Sequence, residues 1–237
     1  MKAVVLAGGK GTRLAPYTLV LPKPLLPIED MPILEILLRQ MKNYGIDEII
    51  LTVGYLSDLL QSYFGDGSRF DIKITYSYEQ TPLGTAGPLS MVSGLDDTFF
   101  VTNGDVLTTL DFSHMLAWHR KKGAMATIAT HQREVNIDFG VVHNDADHRI
   151  TGYTEKPSLE YLVSMGIYIF EPKVLDFIPH SQYLDFPDLV LKLIEAGNIV
   201  SGYPFAGYWQ DLGRLDDYTQ AAEDFNAMRL QFLPEEN

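Results

Sequence analysis

Short apolar runs alternate with helical patterns through the first half of the chain, and that alternation leaves few folds open. Lys2–Ala7 reads as a strand, and Pro32–Tyr44 as a helix with Leu34, Leu37, Met41 and Tyr44 on one face and Gly45 as its stop. Glu48–Val53 is apolar almost throughout, the pattern of a strand buried on both faces. Ser57–Phe64 predicts a short helix closed by Gly65, Ile72–Tyr78 alternates as a strand, and Phe99–Thr102 is a further apolar strand. Phe112–Lys122 predicts a helix whose Arg120-Lys121-Lys122 end complements the helix dipole, so that basic run needs no other role. Strands and helices in turn, joined by short connections, imply a parallel sheet covered by helices on both faces.

After Gly123 the pattern changes. Ala124–Thr130, Phe139–His143, Arg149–Thr154 and Gly166–Phe170 are strand-like, with little helix between them, which predicts a small mixed-sheet lobe added to the parallel core. Phe186–Glu195 then predicts a helix, Ile199–Tyr203 a strand, and Leu215–Met228 a last helix with Leu215, Tyr218, Ala222 and Phe225 along one stripe. The tail from Leu233 to Asn237 is expected to fray. No repeat, low-complexity linker or clean boundary divides the 237 residues, so the chain is read as one α/β domain, 1–237.

A net charge of −13 means that the whole molecule repels polyanions, which argues against non-specific nucleic-acid binding. A phosphorylated ligand would need placed Lys and Arg side chains, or a divalent metal held by carboxylates. No apolar run approaches the roughly 18 residues of a membrane span, and the five apolar residues before the first glycines are too few for a signal peptide. With no cysteine there is neither a disulfide framework nor a thiolate metal site, and a cytoplasmic location is expected.

The loop directly behind the first apolar run is Gly8-Gly9-Lys10-Gly11-Thr12-Arg13-Leu14-Ala15-Pro16-Tyr17-Thr18. Glycines let a backbone turn sharply and come close to a bound group, successive amides can converge on an anion, and Arg13 adds a fork of donors suited to phosphate oxygens. The P-loop string G-x-x-x-x-G-K-[ST] is absent, and the dinucleotide fingerprint fails because its third glycine is missing. That failure also counts against a dinucleotide-dependent oxidoreductase. What remains is an irregular loop running to Leu21-Pro22-Lys23-Pro24, whose prolines are expected to hold Lys23 in an extended segment. With Arg13 and Lys23 close by in sequence, the loop predicts a polyphosphate cradle.

The sequence resembles the sugar-1-phosphate nucleotidyltransferases, also called nucleotide-sugar pyrophosphorylases. Gly8–Thr18 and Lys23-Pro24 match the signature G-G-x-G-T-R-L-x-P-x-T followed by Lys-Pro. Further matches follow in family order: Pro82–Gly87, Asn103-Gly104-Asp105, Phe139-Gly140-Val141, Glu155-Lys156-Pro157, Gly166–Phe170 and Trp209-Gln210-Asp211-Leu212-Gly213. The resemblance covers essentially the whole chain. It implies a Rossmann-like, mostly parallel sheet with 1–123 mainly nucleotide-binding, 124–213 mainly sugar-phosphate-binding, and 214–237 a C-terminal helix and tail.

It also implies roles. Leu6, Ala7, Gly8, Gly9, Gly11, Thr12, Pro82, Gly84, Thr85 and Gly104 would line the nucleotide, while Arg13 and Lys23 would stabilise the charge developing on departing pyrophosphate. Asp105 and Asp211 would hold catalytic Mg²⁺, an ion that prefers oxygen ligands. Read alone, Asp105 is more readily a helix N-cap or turn-stabilising residue, and Trp209 a core aromatic. Asn103, Gly140, Glu155 and Lys156 match the sugar-phosphate site, although Glu-Lys-Pro by itself reads as an ordinary strand end. The six histidines are scattered, and neither a zinc site nor a nucleophilic triad is expected.

The Pro-Leu-Gly-Thr-Ala-Gly form of the base-recognition stretch, Glu79–Gly87, resembles that of GDP-mannose pyrophosphorylases and related guanylyltransferases. Guanine's N1–H and N2–H₂ are donors that the Glu79 carboxylate could accept, so the expectation is GTP with a mannose- or heptose-type 1-phosphate. The alternatives are a thymidylyl- or uridylyltransferase acting on glucose 1-phosphate, and a silent homologue that binds nucleotide sugar and regulates a partner. The left-handed β-helix that often follows such domains is missing, so acyl transfer and assembly through it are not expected. Self-association as a homo-oligomer stays open.

Overall fold

The computed structural model describes residues 1–213 and 215–234. Its first half runs β1 (Lys2–Leu6), β2 (Pro27–Ile28), β3 (Met31–Pro32), α1 (Ile33–Asn43), β4 (Glu48–Val53), α2 (Ser57–Phe64), β5 (Lys73–Tyr78), β6 (Phe99–Asn103), β7 (Val106–Thr108) and α3 (Phe112–Lys122). The second half continues with β8 (Ala126–Asn136), β9 (Val141–Asn144), β10 (Ile150–Thr154), β11 (Ser158–Phe170) and α4 (Phe186–Glu195). It ends with β12 (Val200–Phe205), β13 (Trp209–Asp211), α5 (Leu215–Ala227) and α6 (Arg229–Phe232).

Seven strands form one sheet in the order β12-β8-β11-β6-β1-β4-β5. Every neighbouring pair is parallel except the two made by β11, which runs against both β6 and β8. The central strands are apolar on both sides because both sides are covered: Ala3, Val4 and Val5 of β1 and Phe99 and Val101 of β6 have no exposed surface. On one face Leu34 and Leu37 of α1, Leu60 and Phe64 of α2 and Phe112 and Met115 of α3 pack in one core. On the other, Phe186, Leu189 and Leu193 of α4 meet Phe99, Val101, Tyr168 and Phe170. Emptying a site such as Phe99 or Phe170 by truncation to Ala would cost about 3–5 kcal/mol.

Helix α1 is apolar on more than the one predicted face. Ile33 and Ile36 turn away from the sheet and join Ala221, Phe225, Phe232 and Leu233 in a third core, which docks the C-terminal helices outside α1. Leu233, expected to fray, is fully buried there because it completes that core. Of the predicted stripe on the last helix, Tyr218 packs against this core and Phe225 lies inside it, the Leu215 side chain falls outside the described residues, and Ala221 rather than Ala222 faces inward.

Of the strands after residue 123, only β9 and β10 make a small sheet of their own, among the described residues. β8, β11 and β12 extend the main sheet past β6, and what projects is an arm made of the outer halves of β8 and β11. The separate hairpin β9–β10 lies in sequence between them. No helix is long and apolar enough to cross a membrane, among the described residues.

Candidate active site

The chain leaves β1 outward through β4 to β5, then returns to place β6 on β1's other flank. The reversal makes the carboxyl ends of β1 and β6 the switch point where an open α/β sheet collects ligands. Leu6 and Asn103 end these strands as direct partners, and the Gly104 N–H donates to the Leu6 carbonyl at 2.9 Å, tying the two loops together.

The glycine loop starts from that tie. Ala7 is buried and its N–H still belongs to the sheet, donating to the Thr52 carbonyl. Beyond it, the backbone N–H groups of Gly8, Gly9, Lys10 and Gly11 donate to nothing among the described residues. Gly11 takes the left-handed conformation (φ +60°), and a Cβ there would stand 2.9 Å from the Thr18 methyl. The Thr18 hydroxyl closes the turn on the Gly11 carbonyl at 2.9 Å. Only glycine meets both demands. Thr12 and Arg13 then lie exposed in a short 3₁₀ turn, Thr12–Leu14.

Lys23 is not in an extended segment. Lys23–Leu25 is a 3₁₀ turn closed by Leu25 N–H on the Pro22 carbonyl and Leu26 N–H on the Lys23 carbonyl. Pro24 occupies the second helical position, where its fixed φ fits and no amide is missed. The turn buries Lys23 and aims its ammonium at Asp105, which accepts a hydrogen bond from Nζ; Asp211 Oδ1 lies 3.9 Å from the same nitrogen.

Two three-residue strands bring those carboxylates together. β7 and β13 pair antiparallel with Asp211 opposite Val106, and the Leu212 N–H donates to the Asp105 carbonyl. The end of the ribbon where Thr108 faces Trp209 is fixed on both strands: Gln40 of α1 donates to the Thr108 carbonyl at 2.7 Å, and Trp209 Nε1 donates to the Met165 carbonyl at 3.0 Å. Trp209 packs against the main core as a partly buried aromatic. Burial, reinforced by the neighbouring Asp105 charge, pushes the Asp211 carboxyl up, against the pull of Lys23 and Arg13. Arg13 is near enough that a Cβ on Gly213 would lie 3.0 Å from its Nη1. Four residues far apart in sequence, Arg13, Lys23, Asp105 and Asp211, thus form one charged cluster above the β1–β6 junction.

Other predicted residues fall elsewhere. Glu79 follows β5; its Oε2 accepts the Leu83 N–H at 3.2 Å, and its Oε1 lies 2.9 Å from where a Cβ of Gly8 would stand. Burial raises its carboxyl above the usual range. Pro82 is exposed beside it, while Gly84 and Thr85 turn toward the segment before α4, and both Thr85 donors are taken by Asp185. Glu155 and Lys156 are exposed at the end of β10, joined to the charged cluster by no hydrogen bond or ion pair among the described residues. Lys156 adopts φ +43°, a strained setting for a lysine of the kind that collects at functional sites. The side of Gly140 where a side chain would stand is filled by the chain's own Tyr153 ring and hydroxyl.

The histidines stay apart. His119 is buried between Thr127 and Glu171, and His114 meets the Tyr203 hydroxyl. Sequence reasoning missed Asp185 and Gln40, which hold loops rather than reach into the site and sit in no motif.

The model of the nucleotidyl transferase family matches residues 2–227. The chain is 40% identical over 241 residues to a UTP–glucose-1-phosphate uridylyltransferase of Synechocystis sp., covering 93% of this chain and 62% of that protein. It is 37% identical over 232 residues to a mannose-1-phosphate guanylyltransferase of Mycobacterium tuberculosis, covering 94% and 64%. It therefore spans somewhat under two thirds of the length of these relatives. Its fold matches the crystal structure of HddC from Yersinia pseudotuberculosis complexed with GMP-PN, with a TM-score of 0.72 and 26% identity over 94% of this chain and 99% of that one.

Proposed function

Since the chain belongs to the nucleotidyl transferase family, we propose that it transfers a nucleoside monophosphate from a nucleoside triphosphate to a sugar 1-phosphate. An oxygen of the sugar phosphate attacks the α-phosphorus, the bond to the β-phosphate oxygen breaks, and pyrophosphate leaves with the electron pair. One observation carries the reading: Lys23 lies against Asp105 and within 3.9 Å of Asp211, with Arg13 alongside, beside a loop whose Gly8–Gly11 amides donate to nothing among the described residues.

Joining two anions is a problem of alignment and charge. The loop amides and Arg13 suit the triphosphate, and Lys23 and Arg13 suit the charge that gathers on the leaving pyrophosphate. The donor set also fits magnesium: two carboxylates share one neighbourhood, and Asp211 is half-buried beside a like charge that a divalent cation would offset. When bound between Asp105 and Asp211, the ion supplies charge neutralisation to the phosphates. Lys156 and Glu155, at the tip of the arm, are the groups proposed for the sugar's phosphate and hydroxyls.

Guanine is favoured as the base. Glu79 spends one oxygen on Leu83, and the other faces the Gly8 loop, an acceptor for the N1–H and N2–H₂ edge. The guanylyltransferase relative and the GMP-PN-bound neighbour agree with that choice. The second reading is uridylyl transfer to glucose 1-phosphate, favoured by the relative at 40% identity, because uracil also offers an N–H donor.

A matrix of GTP, UTP and dTTP against mannose, heptose and glucose 1-phosphates with Mg²⁺, read by pyrophosphate release, separates these. GTP with a mannose- or heptose-type phosphate is expected to be fastest. Fastest release from UTP and glucose 1-phosphate would replace the guanylyl reading. Silence throughout, with nucleotide sugar still bound, would replace catalysis with a binding role.

A further inference from the structure

The loop Pro82–Gly87 borders Glu79 and, through it, the glycine loop, so it flanks the side on which the base of a bound nucleotide would lie. It is not held by its own turn. The Leu184 N–H donates to the Leu83 carbonyl at 2.9 Å, and the Leu184 carbonyl accepts from both Ala86 (2.9 Å) and Gly87 (3.0 Å). Gly84 adopts φ +79° and presses on this segment so closely that a Cβ would stand 2.6 Å from the Leu184 carbonyl oxygen.

Asp185 completes the clamp. It precedes α4 in the position from which an aspartate ordinarily caps its own helix, yet its side chain makes no capping hydrogen bond. Oδ1 instead accepts the Thr85 N–H at 2.9 Å and the Thr85 hydroxyl at 3.1 Å, and Oδ2 accepts the Tyr183 hydroxyl at 2.7 Å. Thr85 returns the service: its hydroxyl oxygen accepts the Phe186 N–H at 2.9 Å and caps α4 in the aspartate's place. Cap and capped residue have been exchanged between helix and loop, so neither can move without the other. Helix α4 is anchored in turn through Phe186, Leu189 and Leu193 against Ala126 of β8 and Tyr168 and Phe170 of β11, strands that also build the arm.

We infer that Asp185 is a positioning residue for nucleotide recognition: by fixing Thr85 it sets the loop that borders the base, and with it nucleotide affinity and base preference. The inference rests on the reading of the chain as a nucleotidyltransferase with its base beside Glu79. A bland alternative is that Asp185 only adds stability.

Kinetics of D185A, D185N and T85V decide between them. Removing two hydrogen bonds to a charged acceptor is expected to raise KM for the preferred nucleotide about tenfold in D185A. KM for the sugar 1-phosphate should stay within about twofold, and the preference between GTP and UTP should narrow about fivefold, since loss of one such bond is worth about that factor. D185N keeps an oxygen for Thr85 and should recover most of the nucleotide KM, while T85V should resemble D185A. A purely stabilising contact would lower the melting midpoint in D185A and leave the nucleotide KM and the base preference at wild-type values, which overturns the inference. If D185A does not fold, T85V and D185N carry the same comparison. If the wild-type protein turns over no substrate pair, the nucleotidyltransferase reading fails by itself. The variants are then compared by calorimetric titration with GTP, where an unchanged Kd overturns the role of Asp185.

Discussion

Only 9% of Lys23 is exposed, and its charge is shared between two carboxylates. A lysine so placed keeps Asp105 and Asp211 tolerable to each other before any ligand arrives. K23M should therefore do two things. Pyrophosphate release should fall at least about 10²-fold, the usual loss when a group aimed at developing charge is removed. The denaturation midpoint should drop by the equivalent of about 1–3 kcal/mol, since an unpaired, partly buried carboxylate is left behind. Wild-type turnover in a folded K23M would take Lys23 out of the site. Glu79 shows the opposite balance. Burial holds its carboxyl above the normal range, so the folded state binds that proton more tightly than the unfolded one. The stability it contributes is present below the unfolded value of about 4.3 and is lost as pH rises through the folded value. E79Q keeps an acceptor for Leu83 and removes the charge. It should melt higher than wild type at pH 7 and equal to it near pH 4, about where the wild-type side chain is protonated too. A lower midpoint at pH 7 would contradict this account.

Between residues and fold stands the β7–β13 ribbon, six residues that decide whether Asp105 and Asp211 meet. Trp209 anchors it by packing and by its hydrogen bond to Met165. W209A should cost about 3–5 kcal/mol as a truncated aromatic, whereas W209F, losing chiefly the indole donor, should cost about 1 kcal/mol. Both should lose activity beyond their loss of stability, read as specific activity well below the melting midpoint, because Asp211 is two residues away. The motif residues of this site were legible in the sequence, but the ribbon was not: three-residue strands are too short to show a period. The proline that follows Lys23 biases that residue toward extended backbone, yet Pro24 is also tolerated in the first turn of a helix, and it is this second tendency that the fold uses. The outer half of β8 leaves no apolar pattern because Gln132, Arg133 and Glu134 are exposed, and that of β11 is apolar at Leu159, Tyr161, Leu162 and Val163 without the strict alternation of a half-buried strand. Asp185 was hidden for another reason. In sequence it is an ordinary helix cap, and only the fold shows that it has given up that task.

At the scale of the molecule, the alternation in residues 2–122 gave away the parallel core and its two-sided cover, since buried parallel strands must be apolar throughout. Membership of one sheet by the later strands depended on β11, and nothing local encodes which neighbour a strand will choose. The charge of −13 has a consequence at this scale as well. On the proposed function two anionic substrates approach an anionic body before local cations take over, and salt screens that repulsion as the Debye length falls from about 30 Å at 0.01 M to about 8 Å at 0.15 M. kcat/KM for the nucleotide should accordingly rise about twofold over this range at fixed free Mg²⁺. A steep fall would show that the local cations govern encounter. The inner half of β11 is gripped by β6 and β8, while its outer half, Ser158–Val163, pairs with β8 alone, and the register breaks between Ser164 and Tyr168. Within that break Gly166 sits at φ +72°, so close to Asn103 that a Cβ would stand 2.5 Å from Nδ2. The strand is a cantilever: clamped between two strands in the core, held by β8 alone toward the end where Glu155 and Lys156 stand, with its fulcrum against the residue that precedes Gly104 and Asp105. A force applied at the tip bears first on the hinge beside the carboxylates.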